Sequence, residues 1–125
     1  MPAKQKSVLI VDDNDVMRTL LRAILRSDTQ FEVVGEARNG IAAIEMAQRY
    51  KPDIICLDVV MPEMDGLEAL WKIKKERPET QVVMITGTPS ASNVQEAMNL
   101  GANGFIIKPF NAAKILDTLA ALPPA

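Results

Sequence analysis

Ile54-Ile55-Cys56-Leu57 is apolar at every position and lies between Asp53 and Asp58. A strand with one face in water alternates polar and apolar residues, so a run without alternation reads as a strand buried on both faces. Sheets covered on both faces are built from parallel strands with helical crossovers, and the rest of the chain has to supply those helices. Asp58 ends the run, and Pro62 and Gly66 keep the segment after it out of helix and sheet. Open α/β sheets bind ligands in loops at the carboxyl ends of their strands, which makes Asp58 a candidate reactive group.

The remaining segments fit that requirement. Ser7-Val8-Leu9-Ile10-Val11 reads as a buried strand ending in Asp12-Asp13. Asp15 reads as a helix N-cap, followed by an apolar stripe at positions 16, 17, 20, 21, 24 and 25. Phe31 to Ala37 alternates only in part, as expected of a strand nearer the sheet edge. Asn39-Gly40 gives a turn and cap, and Ile41, Ile44 and Ala47 mark a second helix that Pro52 stops after Tyr50. Asp65 caps a third helix, with Glu68 placed as in a capping box. Leu67, Leu70, Trp71 and Ile73 give that helix much of its apolar surface, and Pro78 ends it. Val82-Val83-Met84-Ile85-Thr86 is a fourth strand. Ser90 or Ser92 starts a fourth helix, carried by Val94, Ala97 and Met98 and closed by Gly101. Gly104-Phe105-Ile106-Ile107 is a fifth strand ending at Lys108-Pro109, and Ile115, Leu116, Leu119 and Leu122 stripe a last helix. Five strands alternating with five helices predict an α/β fold: a flavodoxin-like, doubly wound, five-stranded parallel sheet of order 2-1-3-4-5, with helices on both faces. Only the termini read as disordered tails.

With 125 residues the chain is expected to form one domain, spanning 1–125 with a core over about 7–122. Fourteen basic and sixteen acidic residues leave a net charge of −2, which offers no argument for nucleic acid or an anionic membrane as partner. The apolar runs fall well short of the ~20 residues of a membrane span, and the first six residues hold no signal-like segment, so the cytoplasm is the expected location. Cys56 is the only cysteine and sits in an apolar run, as an inert buried thiol would. The chain contains no histidine, which excludes histidine triads and histidine metal sites.

Polar residues recur at one structural place, the carboxyl ends of the strands. Asp12 and Asp13 follow the first, Asp58 ends the third, Thr86 the fourth and Lys108 the fifth. With strand order 2-1-3-4-5 the first and third strands are neighbours, so the three acids would converge in one crevice, with Thr86 and Lys108 beside them. Carboxylates ~4 Å apart repel by a few kcal/mol at an effective dielectric of ~20, so a cation is expected between them. Oxygen ligands without histidine or cysteine select a hard ion, and Mg2+ needs few carboxylates because it keeps several waters. Mg2+, Lys108 and a hydroxyl around one carboxylate make a receptor for a phosphoryl group, with Asp58 as nucleophile. Any one of these residues alone is an ordinary cap or turn residue. Their recurrence at one edge is what carries the reading.

The same residues resemble a family. Asp12-Asp13, Leu57-Asp58 with Met61-Pro62-Glu63-Met64-Asp65-Gly66, Thr86-Gly87, and Gly101-Ala102 with Lys108-Pro109-Phe110 resemble the receiver domain of two-component response regulators, of the chemotaxis-regulator kind. The resemblance runs from about Ser7 to Leu122. It implies that Asp58 accepts a phosphoryl group from a histidine kinase or phosphotransfer protein, and that phosphorylation switches a surface for a downstream protein target. It further implies direct Mg2+ ligation by Asp13, Asp58 and the backbone carbonyl of Val60, with Asp12 acting mainly through water. Thr86 and Lys108 would contact the phosphoryl oxygens, and the Lys108–Pro109 peptide would be cis. Phe105 matches the aromatic switch position, without the hydroxyl a tyrosine would bring. Such a chain is not an enzyme in the usual sense, although it assists its own phosphorylation and dephosphorylation. It would be a monomer, or a dimer on phosphorylation.

Three alternatives are set against this. An aspartyl-phosphate phosphohydrolase resembles it in Asp, Mg2+ and Lys, but has a second Asp two residues after the nucleophile, where this chain has Val60. Val60 offers nothing to orient an attacking water, so slow hydrolysis is expected; Thr88 occupies the matching position after Thr86. A flavin-binding protein would need a first loop of phosphate-binding donors, and Asp12-Asp13-Asn14-Asp15 would repel phosphate. An interaction-only module, not regulated by phosphorylation, is weakened because the phosphorylation set is present throughout.

Overall fold

The computed structural model describes residues 5–87 and 89–123. Its elements run β1 (Lys6–Val11), α1 (Asp15–Arg26), β2 (Phe31–Ala37), α2 (Gly40–Tyr50), β3 (Ile54–Leu57), α3 (Gly66–Glu76), β4 (Gln81–Thr86), α4 (Ala91–Asn99), β5 (Gly104–Ile107) and α5 (Ala112–Ala120). The strands form one sheet in the order β2-β1-β3-β4-β5, and every pairing is parallel. This is the predicted flavodoxin-like topology. The tails read at the termini, and Thr88, fall outside the described residues.

Side-chain alternation divides the core into two layers. Leu9, Val11, Ile55, Leu57, Val82 and Met84 face α2, α3 and α4, while Val8, Ile10, Ile54, Cys56, Val83 and Ile85 face α1 and α5. Each residue of β3 therefore meets helices on one side or the other, and all four are buried. Burial of so much apolar area, at roughly 25 cal/mol per Å2, is the main force holding the helices to the sheet. β2 is an edge strand, and its register to β1 shifts between Val8 and Leu9, which breaks its alternation. No helix among the described residues is long and apolar enough to cross a membrane.

The helices correct several sequence expectations. Asn14, not Asp15, is the N-cap of α1: its backbone is extended and its Oδ1 accepts the Met17 N–H at 3.0 Å. Asp15 is the first helical residue instead and forms an ion pair with Arg18. The α1 stripe is wider than the face it buries, because Leu21, Ile24 and Leu25 are buried while Val16 is 76% exposed and Leu20 44%. Trp71 and Met98, read as packing residues, each stand 47% exposed, and the Lys75 ammonium lies 4.9 Å from the centre of the Trp71 ring. Asp65 does cap α3, accepting the Glu68 N–H at 2.9 Å, but Glu68 makes no return bond, so the capping box is half formed. Asn39 and Ser90 cap α2 and α4 as expected.

Candidate functional site

The carboxyl edge of the sheet gathers the acids as the topology requires. Val11 pairs with Leu57, so the next residues, Asp12 and Asp58, leave adjacent strands side by side. Backbone bonds continue the sheet past the strand ends: Asp58 N–H donates to Val11 O at 3.0 Å, and Asp12 N–H to Ala37 O at 3.1 Å. One carboxylate oxygen each from Asp12, Asp13 and Asp58 lie within 4.8 Å of one another. Asp12 and Asp58 are buried, at 1% and 6% exposure, while Asp13 is open to solvent.

Lys108 reaches in from the end of β5. Its Nζ donates to Asp12 Oδ2 at 2.8 Å and approaches Asp58 Oδ2 at 3.4 Å. The Lys108–Pro109 peptide is cis. Burial works against the Lys108 ammonium, but the hydrogen bond to Asp12 and the charges of Asp58 and Asp12 outweigh it, so its pKa is raised above 10.5. Burial also raises the pKa of Asp58 above 3.8; Lys108 opposes this and Asp12 adds to it. Burial pushes the Cys56 thiol up to about 12, which makes it inert, as read from sequence.

Thr86 and Phe105 sit one strand further on. Thr86 is fully buried at the end of β4, and its carbonyl accepts the Lys108 N–H at 2.8 Å. Met84 and Thr86 point to one face of the sheet, and Phe105 is paired with Met84, so Phe105 is a diagonal neighbour of Thr86 on that face. It is half-buried against the helix layer made by α2, α3 and α4. Val60 stands at the mouth of the crevice, 57% exposed.

Two residues support the site through contacts that have no clear signal in the sequence. Gly66 lies so close to the strand end that a Cβ there would sit 1.9 Å from the Asp58 carbonyl oxygen. Arg18 reaches back from the first turn of α1 and donates to the Asp12 carbonyl at 2.7 Å, and the Glu36 carboxylate pairs with both Arg18 and Arg22. A glycine after a cap, and an arginine in a helix, both look ordinary until the chain is folded.

The donor set fits a hard divalent cation. Three carboxylates against one ammonium leave the ionised crevice at −2, and two carboxylates 4.8 Å apart repel by about 3 kcal/mol at an effective dielectric of ~20. All three side-chain ligands are oxygens, and the exposed Asp13 gives access from solvent.

The raised pKa of Asp58 has a consequence for stability. The unfolded chain ionises this group first, so its contribution is full below pH 3.8 and is lost as pH rises through the higher folded value. Asp58→Asn carries no such loss. In the absence of divalent cations its melting temperature at neutral pH is expected to exceed that of the wild type, and the gap to close at acid pH. A variant no more stable than the wild type at neutral pH would contradict the burial cost.

Acids, a lysine and a buried hydroxyl on one carboxyl edge of a 2-1-3-4-5 sheet, with Val60 rather than a second acid two residues after Asp58, fit a phosphoacceptor module rather than a turnover enzyme. Comparison with known proteins agrees: the Response regulator receiver domain family matches residues 8–120, and the chain belongs to it. Among individual relatives, it is 46% identical to the chemotaxis protein CheY of Listeria monocytogenes over 112 residues, covering 90% of this chain and 93% of that one. Among solved structures, the response regulator domain of Thermotoga maritima CheB is 35% identical with a TM-score of 0.89, covering 95% of this chain and 96% of that one. The CheX–CheY–BeF3–Mg complex of Borrelia burgdorferi is 31% identical with a TM-score of 0.89, covering 93% and 87%. The chain is thus a receiver of the two-component response regulators, a phosphorylation-regulated module.

Proposed function

We propose that Asp58 is the phosphoacceptor, charged from a phosphohistidine on a histidine kinase or phosphotransfer protein in the cytoplasm, with residues 1–125 acting as one receiver unit. The observation that carries this is the Asp58 carboxylate, held between two further acids and 3.4 Å from the Lys108 ammonium. A carboxylate oxygen of Asp58 attacks phosphorus, the P–N bond to the donor imidazole breaks, and that nitrogen leaves with a proton. Asp13, Asp58 and the Val60 carbonyl would hold Mg2+, with Asp12 acting through water, and the ion when bound would supply neutralisation of the phosphoryl charge.

The chain's own groups do the rest. Lys108 is placed to leave its pairing with the acids for a phosphoryl oxygen, where a new anionic partner favours its charged form. Thr86 supplies a hydroxyl to a second oxygen. Its movement toward the phosphoryl group would vacate space beside Phe105, and an inward turn of that ring would reshape the surface around the exposed Ile107. We assign that surface to the downstream protein target, with the chain a monomer or a dimer on phosphorylation. The phosphodonor has an apolar landing strip close to the site: Val16, Leu20 and Ala23 line one exposed side of α1, beginning three residues after Asp13.

Intact mass after incubation with acetyl phosphate tests the reading. With Mg2+ the protein is expected to gain one phosphoryl group, and with chelator none. A protein that binds Mg2+ yet gains no phosphoryl group would favour the interaction-only module.

A further inference from the structure

The loop from Asp58 to Gly66 is fastened at both ends and in the middle, and the middle fastening belongs to another element. At the near end, Gly66 N–H donates to Val59 O at 2.7 Å. In the middle, Met64 N–H donates to Pro62 O at 2.8 Å around Glu63, whose φ is +69°. A turn of this kind is strained at a residue with a Cβ and persists only where its surroundings impose it. What imposes it is α2. The Gly40 N–H, one of the free donors of the first helical turn, donates to Met64 O at 3.1 Å. The Met64 side chain packs on the core layer of α2 and α3, directly over Gly40. The approach needs glycine: a Cβ on Gly40 would stand 2.6 Å from Met64 O and 2.8 Å from Met64 Cγ.

We infer that Gly40 and Met64 form a latch that positions the phosphorylation loop, so that α2, which contributes no group to the site, sets how well the site binds its cation. The inference rests on the reading of Asp58 and Val60 given above. Those two residues open the loop, and Met61 beside them is buried. With the latch intact the segment is fixed at Gly66, at Met64 and at the end of β3, and the Asp58 carboxylate and Val60 carbonyl have fixed places. With the latch cut, Glu63 relaxes to an ordinary φ and the segment between these anchors is free to shift. Glu63 is exposed and is a passenger in this scheme: it bears the strain but makes no fastening.

The test is Mg2+ affinity by calorimetry on the whole chain, with the rate of phosphorylation by acetyl phosphate beside it. Gly40→Ala and Met64→Ala are each expected to weaken Mg2+ binding about tenfold, the lower end of what groups supporting metal ligands are worth. Glu63→Gly is expected to leave the affinity unchanged and to raise the melting temperature. Leu119→Ala, a cavity in the far core layer, is expected to lower the melting temperature without changing the affinity. Met64→Ala keeps the test open if Gly40→Ala does not fold. Wild-type affinity in the folded latch variants, or weakening in Leu119→Ala equal to theirs, would overturn the latch. A wild type that binds no Mg2+ and takes no phosphoryl group would instead sink the reading of the site on which the latch depends.

Discussion

Gly66→Ala is expected to destabilise the protein by about 3 kcal/mol or more, at or beyond the upper end of ordinary overpacking, with a fall in melting temperature of roughly 10 °C. The reason is the backbone contact. A Cβ at position 66 would lie 1.9 Å from Asp58 O, 2.8 Å from Asp58 C and 2.9 Å from Val59 Cα. None of these atoms belongs to a side chain that could turn away. Either α3 or the end of β3 has to move, and the second would drag Asp58 with it. Gly87→Ala is the matched control, because there, among the described residues, a Cβ would meet only Lys108 side-chain atoms, at 3.7 and 3.8 Å. It should cost little. Chemical denaturation of both variants measures the difference, and equal stabilities would contradict the close approach.

Lys108→Met is expected to act on chemistry and stability together. Among the described residues Lys108 is the one cation paired with Asp12 and Asp58. Its removal leaves two buried carboxylates without a counter-ion. Truncating one partner of a buried pair costs about 3–5 kcal/mol, reduced here because Asp58, its pKa already raised, can take up a proton. A divalent cation can restore the missing charge. The variant should therefore melt well below the wild type in chelator and recover much of the gap in millimolar Mg2+. Phosphorylation should still fail, by about 10²–10³-fold, because the role proposed for Lys108, a positive charge aimed at the phosphoryl oxygen, would be gone. A stability gap that ignores Mg2+, or a wild-type rate of adduct formation, would contradict this role for Lys108.

The sequence was most legible where periodicity and topology decide the outcome. Leu57, Ile55 and their neighbours could only be buried on two faces, and that demand led to the parallel sheet and to the convergence of Asp12, Asp13 and Asp58. It was less legible on the helix surfaces. Val16, Leu20, Trp71 and Met98 fit helical stripes yet stay exposed, because a helix packed on a sheet buries a narrower arc than its apolar residues span. The N-cap of α1 moved by one residue because capping depends on which side chain meets the third free N–H, and Asn14 has the extended backbone that allows it. Least legible were the close approaches. By sequence Gly40 is a turn residue and Gly66 a loop residue. What each needs to avoid, the Met64 carbonyl and the Asp58 carbonyl, lies across the fold or behind a tight loop.

The most direct test of the account is to locate the phosphoryl group by chemistry. An acyl phosphate is reduced by borohydride to an alcohol, so a phosphorylated aspartate becomes homoserine, which peptide mass spectrometry places in the sequence. After treatment with acetyl phosphate and Mg2+, homoserine is expected at position 58, with none when chelator is present. Homoserine at position 12 or 13, or at position 58 without Mg2+, would contradict the assignment of Asp58 and of the acidic crevice around it.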